Sequence, residues 1–176
     1  MLTTAREMLA EDPERLTMDS LAERSGLGKG TVFRRFGTRA GIFQALLDDG
    51  EHEFQQRVLA GPPPLGPGAP PLDRLVAYGR ARVRFLVEHH ELARAALDAR
   101  QPIPAGAESP MSRSHIRMLL GLIPMGPVDL DMLSVQLTAA LDGPLLLWVS
   151  AADVGAAEQS LARGWQDLVE RVCRPL

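Results

Sequence analysis

Residues 25–36, Ser-Gly-Leu-Gly-Lys-Gly-Thr-Val-Phe-Arg-Arg-Phe, follow at once on a short amphipathic segment from Met18 to Arg24. Two short helical segments joined by a glycine-containing turn read as a helix-turn-helix. The second helix of such a unit lies in the DNA major groove while the first supports it. Ala22 is small where the helices would cross closely, and Gly26 can take the left-handed conformation that ends the first helix cheaply. Leu21, Leu27 and Val32 are the apolar contacts expected to lock one helix on the other. Lys29 and Thr31 then fall at the exposed start of the second helix, where side chains reach bases or phosphates. The local charge agrees. Residues 24–39 hold five basic side chains (Arg24, Lys29, Arg34, Arg35, Arg39) and no acidic one, in a chain of formal net charge -3. A basic patch in an acidic chain localises a nucleic-acid contact better than overall basicity would. The competing reading, a basic helical hairpin packed in a core, leaves Lys29, Arg34 and Arg35 with nowhere to go.

The run from Thr17 to Leu47, above all Gly28-Lys29-Gly30-Thr31-Val32-Phe33-Arg34-Arg35-Phe36 followed by Gly37-Thr38-Arg39, resembles the DNA-binding domain of TetR-family transcriptional regulators. The resemblance covers about residues 2–50 and its motif is specific. It implies an all-α homodimer of about nine helices. Residues 1–49 would form a three-helix DNA-binding domain, and residues 50–176 a divergent helical domain for ligand binding and dimerisation. The positions implied at DNA are Gly28, Lys29, Gly30, Thr31, Phe33, Arg34, Arg35 and Arg39. Three features depart from the family pattern. Phe33 stands where a tyrosine hydroxyl often bonds a phosphate, and Gly28 where a serine is frequent. Arg34 and Arg35 are more basic than the usual residues there. An arginine can bond guanine O6 and N7 or clamp a phosphate. Arg34 is open to either role, and Arg35 suits phosphate better. Arg39 matches the family's usual lysine, which touches phosphate.

Along the chain, Leu2, Ala5, Met8 and Leu9 share one face of a first helix that stops near Asp12-Pro13. Thr17 is the expected N-cap of the next. Thr38 caps a fourth helix carried by Ile42, Phe43, Leu46, Leu47, Phe54 and Val58 at three- and four-residue spacing. Nine of the eleven residues from Gly61 to Pro71 are proline or glycine, so this stretch is a loop or spacer. Helices are expected again over Leu72–Glu88, Glu91–Leu97 and Met111–Leu122, with a second loop over Gln101–Pro110. Asp129 can cap a long helix from Leu130 to about Ser150, which Pro144 should kink. A last helix runs from about Gly155 to Arg174.

Function beyond the N-terminal motif is less constrained. Tyr78, Arg82, Phe85 and His89 form a mixed stripe that suits either a ligand pocket or a partly exposed helix side; Met111 and Met118 are placed to close such a pocket. Leu133, Leu137 and Leu141 with Leu161, Trp165 and Leu168 are the candidate dimer face, and a core position for Trp165 is almost as well supported. A two-fold dimer matches a palindromic operator on double-stranded DNA. Four histidines (His52, His89, His90, His115) make no His-x3-His pair, and no nucleophile elbow, P-loop or dinucleotide fingerprint occurs, so neither catalysis, a metal nor a cofactor is expected. Cys173 is single, which excludes an internal disulfide. The acidic residues among the first twenty (Glu7, Glu11, Asp12, Glu14, Asp19) do not suit a secretory signal, and no apolar run is long enough to span a bilayer. A cytoplasmic location is expected. The sequence thus reads as a DNA-binding regulator, a repressor released by a small apolar or amphipathic effector. A constitutive DNA-binding factor and a regulator controlled by a protein partner stay open beside it.

Overall fold

The computed structural model describes residues 1–96, 110–148 and 154–174. Nine α-helices and no strand occur among them: α1 (Leu2–Glu11), α2 (Met18–Ser25), α3 (Lys29–Phe36), α4 (Arg39–Ala60), α5 (Pro71–Glu88), α6 (His90–Ala96), α7 (Pro110–Leu120), α8 (Leu130–Trp148) and α9 (Val154–Val172). The fold is all-α, as expected. The chain packs as two compact units.

The first unit holds Met1–His52, joined by residues 91–96. A short 3-10 turn, Pro13–Arg15, follows α1 and is not among the elements the sequence pattern marks. Asp12 starts it by accepting the Glu14 amide hydrogen, and proline occupies its first position, where a missing N–H costs nothing. Ala5, Met8, Leu16, Leu21, Ala22, Val32, Ile42, Phe43 and Leu46 close one apolar core among α1–α4.

The second unit holds Glu53–His90 and the described residues from 110 on. Its core gathers Phe54, Val58, Leu75, Tyr78, Val83, Ile116, Leu119, Leu137, Leu141, Trp165 and Val169. The proline-rich stretch forms turns, and its Leu65 packs against that core. Pro71 opens α5 at a position that tolerates proline. Asp129 accepts the Met132 amide hydrogen at 3.0 Å and caps α8, as its position predicts. The helix continues as one element through Pro144 to Trp148. Most of the second expected loop, 101–109, lies outside the described residues. Cys173 is buried, and burial pushes its thiol up, away from the reactive thiolate.

Candidate nucleic-acid interface

The local chemistry of residues 17–38 fixes how α3 is displayed. Thr17 and Ser20 form a reciprocal capping box at the start of α2: the Ser20 amide donates to Thr17 Oγ1 at 3.1 Å, and the Thr17 amide to Ser20 Oγ at 3.0 Å. At the other end Gly26 sits at φ 69°, the left-handed conformation expected of it. Its amide donates to Glu23 O and that of Leu27 to Ala22 O, the doubly bonded stop that favours glycine. This turn swings the Leu27 side chain outward, where it is 38% exposed. Leu27 is therefore not the locking contact the sequence suggests. Leu21 and Val32, both fully buried, fill that role.

Only Val32 and Phe36, one helical turn apart, are buried on α3. Every other residue of α3 is exposed, including Lys29, Gly30, Thr31, Phe33, Arg34 and Arg35, as is its N-cap Gly28. The Phe33 ring is 48% exposed, an unusual position for a large apolar side chain that has no surface to cover. At Gly28 and Gly30 an added Cβ would meet nothing within 4 Å, so both glycines face open space.

The five basic side chains divide by what already holds them. Both terminal nitrogens of Arg24 bond the Glu11 carboxylate, and that bond holds the Glu11 carboxyl below its ordinary range. Lys29 pairs with Asp19 at 2.8 Å, with both side chains exposed, a pair that contributes little stability and exchanges easily for another anion. Arg39 turns back on its own unit. Its Nε donates to Leu16 O at 2.6 Å and one terminal nitrogen to Pro13 O at 2.7 Å, while the guanidinium lies over the Phe43 ring. Arg34 makes no hydrogen bond or ion pair among the described residues. Arg35 only leans over the Phe36 ring, 5.9 Å from its centre. Two exposed guanidinium groups next to Thr31 and Phe33 are thus left for an external partner. Spacing alone could not show this division, because the acids that occupy Arg24 and Lys29 come from outside residues 24–39.

The second unit distributes the remaining expected residues less simply. Tyr78 and Arg82 are buried, Phe85, His89 and Met111 are half-buried, and Met118 is 44% exposed. Tyr78, Arg82, Phe85 and His89 are drawn together with Phe54: Arg82 lies over the Phe54 and Phe85 rings, and the Phe85 and His89 rings stack at 4.3 Å. Phe54 and His115, whose ring is 5.0 Å from that of Tyr78, belong to the same cluster although the stripe on α5 does not announce them. On the expected dimer face, Leu133, Leu137, Leu141 and Trp165 are buried in the unit's own core and Leu161 packs against it; Leu168 is exposed. Among the described side chains of α8 and α9, the large apolar ones exposed are Met132, Val135, Leu168 and Val172. Among the described residues, no three His, Cys, Asp or Glu side chains come together to hold a metal ion, and no helix is long and apolar enough to cross a membrane.

Residues 1–46 match the family model for bacterial regulatory proteins of the tetR family. None of the curated proteins compared matches the chain. Among solved structures, it is similar to a protein of Clostridium perfringens described as a putative fatty acid metabolism regulator, at TM-score 0.53 and 15% identity over 94% of this chain and 96% of that one. It is equally similar to PfmR, a TetR family transcriptional regulator from Thermus thermophilus, at TM-score 0.53 and 19% identity over 98% of both chains. At such identities the two structures establish a shared fold, and it runs the full length of the chain rather than the N-terminal domain alone. The exposed helix α3 thus sits in the segment that the family model matches, within a fold shared along the chain with a TetR family transcriptional regulator, and residues 1–46 form the N-terminal domain of the tetR family of bacterial regulatory proteins.

Proposed function

We propose that this regulator is a homodimeric repressor, acting in the cytoplasm, whose hold on a palindromic operator is relaxed by a small-molecule effector. The observation that carries the DNA-binding part is the display of α3: Arg34 and Arg35 stand outward with no intramolecular hydrogen bond or ion pair among the described residues, beside exposed Thr31 and Phe33. Arg34 suits a guanine edge and Arg35 a phosphate. Gly28 and Gly30 let the DNA backbone come close to the start of α3, where unpaired amide hydrogens favour phosphate. Lys29 exchanges Asp19 for a phosphate, and Arg39 holds the Pro13–Leu16 turn in place while adding positive charge to the same surface.

Dimerisation is assigned to Met132 and Val135 of α8 and to Leu168 and Val172 of α9, four apolar side chains at helical spacing that the chain itself leaves exposed. The effector is assigned to the polar-aromatic cluster of the second unit, where Tyr78, Arg82 and Phe85 are already assembled. One element, α4, supplies residues to both cores and is the covalent route by which a ligand event reaches the DNA-binding unit. Mobility shift of DNA from upstream of the coding region, across a salt series, tests the reading. A selective shift with dimer stoichiometry is expected. Random-sequence selection that recovers no preferred site would overturn it.

A further inference from the structure

Three buried side-chain nitrogen atoms of the second unit have no hydrogen-bond partner among the described residues, and two of them, besides Nε of Arg82, lie on facing helices. These two are Nε of Arg74, on α5, and Nε2 of His115, on α7. The imidazole is 5% exposed, and Arg74 is near enough for its charge to bear on that ring. Arg74 makes no ion pair among the described residues, so a guanidinium with a buried donor lacks a counter-charge. Leaving such a group unmet costs more than an ordinary unmade hydrogen bond. One turn further along α5, the Tyr78 hydroxyl donates to Ser112 Oγ at 2.7 Å, and Ser112 is itself 4% exposed. The rings of Phe54, Tyr78 and His115 follow in series, with centres 5.7 and 5.0 Å apart. A polar end that lacks an anion therefore adjoins an aromatic wall.

We propose that α5 and α7 form a receptor for a carboxylate on an apolar body, with its oxygens accepting from Arg74 Nε and His115 Nε2 and its body against Phe54 and Tyr78. The inference rests on the effector-responsive reading above and names the chemical class of the effector. A carboxylate fits because its two oxygens can meet both donors and its charge supplies the missing counter-ion, in hydrogen bonds stronger than neutral ones.

The test uses the full chain with 15N-labelled imidazoles at constant pH and ionic strength, titrated with acetate, benzoate, the neutral benzamide and chloride. Benzoate is expected to shift the His115 signals saturably and more tightly than acetate, with no saturable shift by benzamide or chloride. Arg74→Gln should weaken benzoate at least about tenfold, the loss of one charge-assisted hydrogen bond. Equal response to benzamide and benzoate, or no response to either, overturns the proposal; so does undiminished benzoate binding by folded Arg74→Gln. If that variant does not fold, the comparison of benzoate with benzamide on the natural chain still decides. Operator affinity measured alongside separates the two readings. Benzoate that binds without releasing DNA upholds the receptor and removes its regulatory role, whereas selective DNA binding without any benzoate response refutes the receptor alone.

Discussion

The indole of Trp165 on α9 lies against the α-carbon of Gly79 on α5, and its Nε1 donates to Leu75 O at 3.1 Å. A Cβ at residue 79 would collide with the indole ring. The glycine is therefore what lets α5 and α9 approach closely, and the buried indole in turn meets a backbone carbonyl. Arg80 with Gln166 and Arg84 with Glu158 line the rim of the same contact. Gly79→Ala should destabilise the protein by about 1–3 kcal/mol, despite the better helix propensity of alanine. Urea denaturation measures it. Unchanged or increased stability would mean that the two helices can part at no cost.

Burial, with the Arg74 charge second, pushes the His115 imidazole from the ordinary 6.5 down to about 4. The folded state thus favours the neutral ring. Its stability is fully present above about 6.5 and is lost as pH falls towards about 4, because over that interval the unfolded chain takes up the proton first. The loss should total roughly 1–3 kcal/mol. His115→Gln should flatten the dependence of the thermal midpoint on pH between those values, and an unchanged slope would assign the effect to other groups.

Arg39 and Lys29 should respond in opposite ways. Arg39→Ala removes two hydrogen bonds to the carbonyls of Leu16 and Pro13, and is expected to cost about 1–3 kcal/mol of stability. Lys29→Ala breaks only an exposed pair and should cost less than about 1 kcal/mol. The lysine variant should nonetheless lower affinity for all DNA sequences and reduce the slope of log K against log salt by about 1. Denaturation and salt-series binding on both proteins give the comparison.

Gly30 is in the first turn of α3 and has no neighbour to limit a larger residue. Gly30→Ala should leave stability unchanged or raise it by up to about 1 kcal/mol. If DNA backbone approaches at this point, the same variant binds operator more weakly. Equal affinity with greater stability would place the backbone elsewhere.

Much of the first unit is legible in the sequence because its signals are local. Thr17, Gly26 and Thr38 act on amides within three residues of them, and Val32 and Phe36 mark the inward stripe of α3 by spacing alone. The short turn after Asp12 and the outward swing of Leu27 are departures of the same local kind. The second unit is harder to read because it depends on pairings across many residues. The stripe of Leu133, Leu137 and Leu141 identifies an apolar face without saying what covers it, and here it is the chain's own core. Trp165 has the same ambiguity, resolved by Gly79, which lies far from it in sequence. The partnering of Arg24 with Glu11, and the lack of a partner for Arg34, likewise follow from folding and not from charge order.

The role proposed for α3 is to read DNA through the side chains left without internal partners. Its most direct test is binding of the natural protein, Arg34→Ala and Arg35→Ala to a selected operator and to variants with each base pair exchanged, at fixed salt. Arg34→Ala should lose discrimination at one operator position, by about 1–3 kcal/mol, and keep the rest. Arg35→Ala should weaken all sites uniformly. If both variants bind every site as the natural protein does, α3 is not the reading element.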